Sequence, residues 1–125
     1  MKTGATVALA GLLVVVAAPS HAGGAPLSTP VISSFLAGVD EAICHALNVG
    51  TKPVSITVDI VDSNLGTVVA TNGPAVVDPG KELSLVNLGT QSNEYCRATG
   101  LSSKTGKMSF EELSAGSPVI NVTAP

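Results

Sequence analysis

From residue 54 onward, turn-forming residues cut the chain into short apolar segments about every 8 to 12 positions, leaving no room between them for helices of ordinary length. Val54, Ile56, Val58 and Ile60 alternate with Ser55, Thr57 and Asp59, the period-two spacing of a strand with one buried face. Asp62-Ser63-Asn64-Leu65-Gly66 is turn chemistry. It predicts a return strand over 67–71, interrupted by Asn72-Gly73-Pro74. A short strand over 75–77 follows, then Asp78-Pro79-Gly80-Lys81, a turn with proline at its second position. Further strands are expected over 83–88, 95–101, 107–113 and 118–123, separated by polar loops over 89–94 and 102–106. The last of them is expected at a sheet edge.

Upstream of residue 54 the pattern is ambiguous. Val31, Ile32, Phe35, Leu36 and Val39 recur at helical spacing behind Thr29 and Pro30, and the pattern continues through Ile43, Ala46 and Leu47 to Gly50. Gly38 and the β-branched residues oppose a helix. With everything downstream reading as β, the assignment is a short strand or turn over 31–36 and a strand over 42–49. The fold class expected is all-β: one antiparallel sandwich of about seven strands.

Lys2 followed by an apolar run over 5–18, then Pro19-Ser20-His21-Ala22, has the form of a secretory signal peptide over 1–22, cleaved between Ala22 and Gly23. The run is shorter than the roughly 20 residues needed to span a bilayer, so no membrane insertion of the mature chain is expected. Residues 23–29 read as a flexible Gly/Pro/Ser-rich leader and 30–125 as one domain. Export makes the two cysteines, Cys44 and Cys96, candidates for one disulfide, with a catalytic thiol or intermolecular pairing as alternatives. One sits in an early strand and one in a late strand, as an inter-sheet staple requires. Localisation is accordingly secreted or periplasmic.

The formal net charge is −3, and removal of Lys2 with the signal peptide makes the product more acidic. No basic stripe is present, which argues against nucleic acid and anionic membranes as partners. Phe35, Tyr95 and Phe110 are the only aromatics. The core is therefore expected to consist of Val, Ile, Leu and Ala, without an aromatic platform for stacking ligands.

Cys44 and Cys96 stand where the immunoglobulin-like sandwich has its two inter-sheet cysteines, and the chain resembles that fold in part. No tryptophan is available to pack on the bridge, and Tyr95 adjoins Cys96 rather than standing two residues before it. The run Cys44-His45-Ala46-Leu47-Asn48-Val49-Gly50, with the segment 54–66, Pro79-Gly80 and Cys96-Arg97, is similar to a group of small secreted bacterial proteins of unknown function. That resemblance implies a sandwich fold and export, and no activity.

Candidate chemistry is sparse. His45 follows Cys44, but neighbours along a strand point to opposite faces, so the imidazole is not placed on the sulfur. A Ser-His-acid triad would have to use His45, the one histidine after residue 22, and no serine lies in a G-x-S-x-G elbow. A metal at His45 would need carboxylates from elsewhere. The segment 62–66 begins like a calcium loop but has Gly66, Thr67 and Gly73 where Asp or Asn, Gly and Glu are required. Asp59 and Asp62 read as solvated carboxylates beside a turn. Lys104-Thr105-Gly106 and Gly106-Lys107 match fragments of penicillin-recognising and phosphate-binding motifs whose other parts are missing. Asn121-Val122-Thr123 fits the N-glycosylation sequon. Arg97, the sole arginine, reads as a structural ion-pair partner of Glu41 or Glu111 ahead of a carboxylate clamp.

No catalytic, cofactor or metal site is expected. The sequence points to an exported non-enzymatic module with a protein partner, binding through edge strands around Val31 and Val119, or a structural envelope component. The alternative is a small secreted hydrolase using His45 or the acidic turn, or an enzyme inhibitor presenting the loop 89–94 or 102–106.

Overall fold

The computed structural model describes residues 25–32, 41–88, 93–114 and 117–124. They form β1 (Leu27–Ser28), β2 (Glu41–Asn48), β3 (Val54–Asp62), β4 (Thr67–Val77), β5 (Glu82–Leu88), β6 (Glu94–Thr99), β7 (Gly106–Ser114) and β8 (Ser117–Ala124). Two four-stranded antiparallel sheets pack together, sheet A in the order β1-β6-β3-β4 and sheet B in the order β5-β2-β7-β8. β4 lies against β5 and β1 against β7, so β4 and β5 bound one side of the sandwich while β1 and β8 bound the other. The all-β expectation holds for these residues. The expected signal peptide, its Ala22/Gly23 cleavage site, the strand or turn over 33–36 and the loop residues 89–92 lie outside them.

β2 shows why the helical reading loses. Ala42, Cys44, Ala46 and Asn48 are buried, while Ile43, His45 and Leu47 on the other face are half-buried. Small inward side chains let β2 lie flat against the opposite sheet, and pairing to β5 and β7 on both sides satisfies its backbone. Tertiary pairing overrides a weak helical periodicity here.

Three other expectations are corrected. The segment read as a flexible leader supplies β1: Leu27 and Thr29 are buried, and Thr29 exchanges bonds with Cys96 through both its backbone N–H and its hydroxyl, each 3.0 Å. Asn72-Gly73-Pro74 does not end the return strand. β4 runs through it by inserting one extra residue between the pairs Ile56/Ala75 and Val58/Asn72, a bulge that absorbs a residue without breaking the ladder. Gly73 has φ +113°, and a Cβ there would stand 2.5 Å from the Ile56 carbonyl oxygen, so only glycine fits. Finally, β3 is not half-buried throughout. Asp59 and Val61, which point to the outer face, are buried as well, with 7% and 1% exposure, because β3 is central in its sheet and has Arg97 and Tyr95 directly opposite on β6.

The core comprises Ile56, Val58 and Ile60 of β3, Ala98 of β6, Met108 and Phe110 of β7, and the bridge Cys44–Cys96 between the sheets. Phe110 is fully buried and is the largest such side chain, so the core is not purely aliphatic. Each large apolar side chain removed from water contributes about 1.5–3 kcal/mol. Closing a 52-residue separation contributes about 4 kcal/mol on the chain-entropy model.

The strand order departs from that of an immunoglobulin domain. There, the strand following the second cysteine pairs with that cysteine's own strand; here, β7 pairs with β2, the strand of the first cysteine, and β1 takes the place beside β6.

Candidate functional site

The outer face of sheet B carries the densest polar grouping. Strand register places Ser84 of β5, His45 of β2, Ser109 of β7 and Thr123 of β8 in one cross-strand row. His45 Nδ1 lies 3.1 Å from Ser84 Oγ, and Nε2 lies 3.1 Å from Glu111 Oε1. Ser84 Oγ also donates to Glu82 Oε1 at 3.2 Å, and that oxygen stands 3.6 Å from His45 Nδ1. On the other flank, Asn121 Nδ2 donates to Glu111 Oε2 at 3.4 Å. The His45 and Glu111 side chains are 28% and 21% exposed, so water still reaches the group. A groove of about 720 Å³ runs beside it toward β8, with Leu47, Met108 and Ser109 in its lining and Lys107 and Thr123 among its bounding residues.

Serine, imidazole and carboxylate are thus in contact, an arrangement that the sequence left open for His45 without naming Ser84 or Glu111 as its partners. Its geometry differs from an acyl-transfer triad in two respects. The carboxylate meets Nε2 and the hydroxyl meets Nδ1, the reverse of the usual assignment. Ser84 also lies in a regular strand, where backbone N–H groups point along the sheet plane rather than at a position above Oγ, as an oxyanion hole needs. What the group does directly is tie three neighbouring strands together by side chains.

On the outer face of sheet A, Arg97 donates from Nε (3.1 Å) and Nη2 (2.7 Å) to Asp59 Oδ2. The expected partners Glu41 and Glu111 are wrong for a simple reason: both lie on sheet B, whereas Asp59 is directly opposite Arg97 in sheet A. Asp59 is consequently a buried ion-pair partner rather than a solvated carboxylate.

The remaining candidates are structural in their contacts. Cys44 and Cys96 are bonded to each other and fully buried, which removes a catalytic thiol from consideration. Asp62, expected to be a solvated carboxylate, is buried, and its Oδ1 accepts the N–H groups of Asn64 and Leu65 at 2.8 and 3.1 Å, which holds the turn. Thr105 Oγ1 accepts the Ser102 N–H at 3.1 Å, and the N–H groups of Thr105 and Gly106 both return to the Ser102 carbonyl. The Lys104-Thr105-Gly106 match is therefore a closed turn. Asn121 is exposed on β8. Among the described residues, no three His, Cys, Asp or Glu side chains are placed to hold a metal ion, and no helix is long and apolar enough to cross a membrane.

Sequence reasoning missed Asn48. It is fully buried at the end of β2, where Nδ2 donates to the carbonyls of Lys52 and Val77, both 2.9 Å, and Oδ1 accepts the Gly50 N–H at 2.9 Å. Its backbone bonds Gly80 and Lys81 in the β4–β5 turn. An asparagine just before a glycine-containing turn is a weak signal for such a role, since one of its acceptors, the Val77 carbonyl, comes from 29 positions away. Comparison of the chain with protein-family models, curated proteins and solved structures finds no match.

Proposed function

We propose that this chain is an exported, non-enzymatic sandwich module that acts by strand addition: a partner's extended segment pairs with the free edge of β8. The reading rests on one observation, the unequal treatment of the sheet edges. β1 has only two residues, β4 carries two register shifts, and β5 is overlain by β4, whose Asn72 donates to the Ser84 carbonyl at 2.8 Å. β8 has a register shift near Pro118, after which Ile120 to Ala124 pair regularly with β7, contain no charge, and have no second neighbour among the described residues. Natural sheets usually protect such an edge with charge, irregularity or a covering element. Main-chain bonds to β8 would give affinity, and the groove along Thr123 would read the partner's side chains.

Export is supported by the apolar run behind Lys2 and by the disulfide, a bond kept closed in oxidising compartments. A two-sheet sandwich hosts binding roles in many unrelated proteins, an analogy of architecture alone. The test is site-specific photo-crosslinking in the producing cells, with the probe at Thr123 or, on the opposite edge, at Val86. Adducts from Thr123 and none from Val86 are expected. Adducts from Val86 alone, or from neither, overturn the reading.

A second reading, a small hydrolase, is favoured by the Ser84–His45–Glu111 contacts alone. Unchanged hydrolysis of ester and peptide probes in His45→Ala removes it.

A further inference from the structure

We infer that the strand added to β8 is β8 of a second copy of this chain, in a two-fold antiparallel pairing centred on Val122; this rests on the β8 edge being the binding edge. Between Glu112/Ile120 and Leu113/Pro118 the register with β7 shifts by one residue of β8, so the uninterrupted ladder available to a newcomer is residues 120–124. In an antiparallel pair, directly opposite residues share a face, so a symmetric pairing of this segment sets Val122 against its own copy, Asn121 against Thr123 of the second copy, and Thr123 against its Asn121.

The segment is self-complementary in chemistry as well as length. Asn121 and Thr123 are exposed on the outer face while Val122 is half-buried, so the paired strands would set amide against hydroxyl on the wet face and valine against valine underneath. Such cross-strand pairs are favourable, whereas like charges directly opposite oppose association; residues 120–124 contain no charge of either sign. Val31 adds apolar area on the same side of the sandwich. It follows β1, on the side bounded by β1 and β8, and is 48% exposed. Two four-stranded sheets would become one of eight strands, with the two His45 grooves on one continuous face. An isologous contact of this kind closes on itself and does not propagate.

Five residues of strand pairing bury less surface than a standard stable interface, so association is weak, with a dissociation constant on the order of 100 μM. Sedimentation velocity of the disulfide-bonded chain over residues 23–125, run from micromolar to millimolar concentration, is expected to show a monomer giving way to a dimer without larger species. Asn121→Lys/Thr123→Lys places lysine opposite lysine twice and is expected to weaken the dimer at least about tenfold. Asn121→Lys/Thr123→Glu places opposite charges at the same two contacts and is expected to restore or tighten it. Because both variants alter the same exposed positions, matched melting temperatures separate loss of pairing from loss of fold. Val86→Lys, on the other edge, is expected to change nothing. A monomer at millimolar concentration, or lysine–lysine and lysine–glutamate variants that associate equally, overturns the second-copy inference. Photo-crosslinks from Thr123 to a different protein would then leave strand addition itself standing. A dimer lost in Val86→Lys overturns both.

Discussion

The two long sides of this sandwich are finished differently. Along the β4–β5 side, polar groups act as latches between the sheets: Asn48 bonds the Val77 carbonyl and the β4–β5 turn, and Asn72 reaches from β4 to the Ser84 carbonyl on β5. Gly73 lets β4 bulge against β3 rather than end. Along the β1–β8 side, the bonds of Thr29 and Ile32 run within sheet A, to Cys96 and Glu94, and that of Asn121 runs within sheet B, to Glu111. Both sides share the same core and disulfide, so core packing alone does not close an edge. Specific side chain-to-backbone bonds such as those of Asn48 and Asn72 do so along the β4–β5 side.

The largest test removes what the two sides share. Cys44→Ala/Cys96→Ala deletes the bridge between β2 and β6, strands interior to their sheets, and is expected to cost about 4 kcal/mol, read from urea unfolding. Hydrogen exchange should accelerate on both sides alike. Faster exchange confined to β1 and β8 would show that the bridge holds that side alone and that the β4–β5 side is closed without it.

Next is Asn48→Ala, which leaves two carbonyls and one N–H at the end of β2 without their side-chain partner. Losing several bonds at a buried site is expected to cost about 3 kcal/mol. Exchange should rise in the β4–β5 turn and at Val77 while Ile120 to Ala124 stay unchanged. An equal rise on β8 would mean that the two sides are not independent.

Asn48 also marks the limit of what the sequence discloses. The strands over 54–62, 82–88 and 106–114 were legible because alternation and turn chemistry are local properties, read from Val54, Ile56 and Val58 or from Asp78-Pro79-Gly80 within a few residues. The disulfide was legible because two cysteines and an apolar leader leave few alternatives. Pairing order was not. Arg97 finds Asp59, Ser84 finds His45, and Asn48 finds Val77 across 29 to 39 positions, through registers that no single segment encodes. The same limit misplaced the end of the strand at Asn72-Gly73-Pro74: those residues are turn formers locally, and only pairing with Ile56 and Val58 of β3 turns them into a bulge.

A smaller effect is expected from Asn72→Ala. Its amide is solvent-exposed and makes one bond to the Ser84 carbonyl, so stability should fall by about 1 kcal/mol or less. The consequence should be structural: exchange at the β5 edge rises, and a probe at Val86 begins to crosslink weakly. That would convert part of the closed side into an open one with a single substitution.

The smallest effect separates edge from face. His45 is part-exposed, it contacts Ser84, Glu82 and Glu111, and it sits on β2, two strands in from β8, the edge strand of its sheet. Ion pairs and bonds at such positions contribute about 1 kcal/mol or less, so His45→Ala should lower stability by no more than that and leave association through β8 unchanged. A double-mutant cycle with Glu111→Ala should return a coupling of about 0.5 kcal/mol that shrinks in high salt. If His45→Ala instead abolished self-association at unchanged stability, the binding surface would be the outer face of sheet B, not its edge. Strand addition at β8 would then be the wrong mode of binding, because a partner seated over the His45 groove needs no free strand.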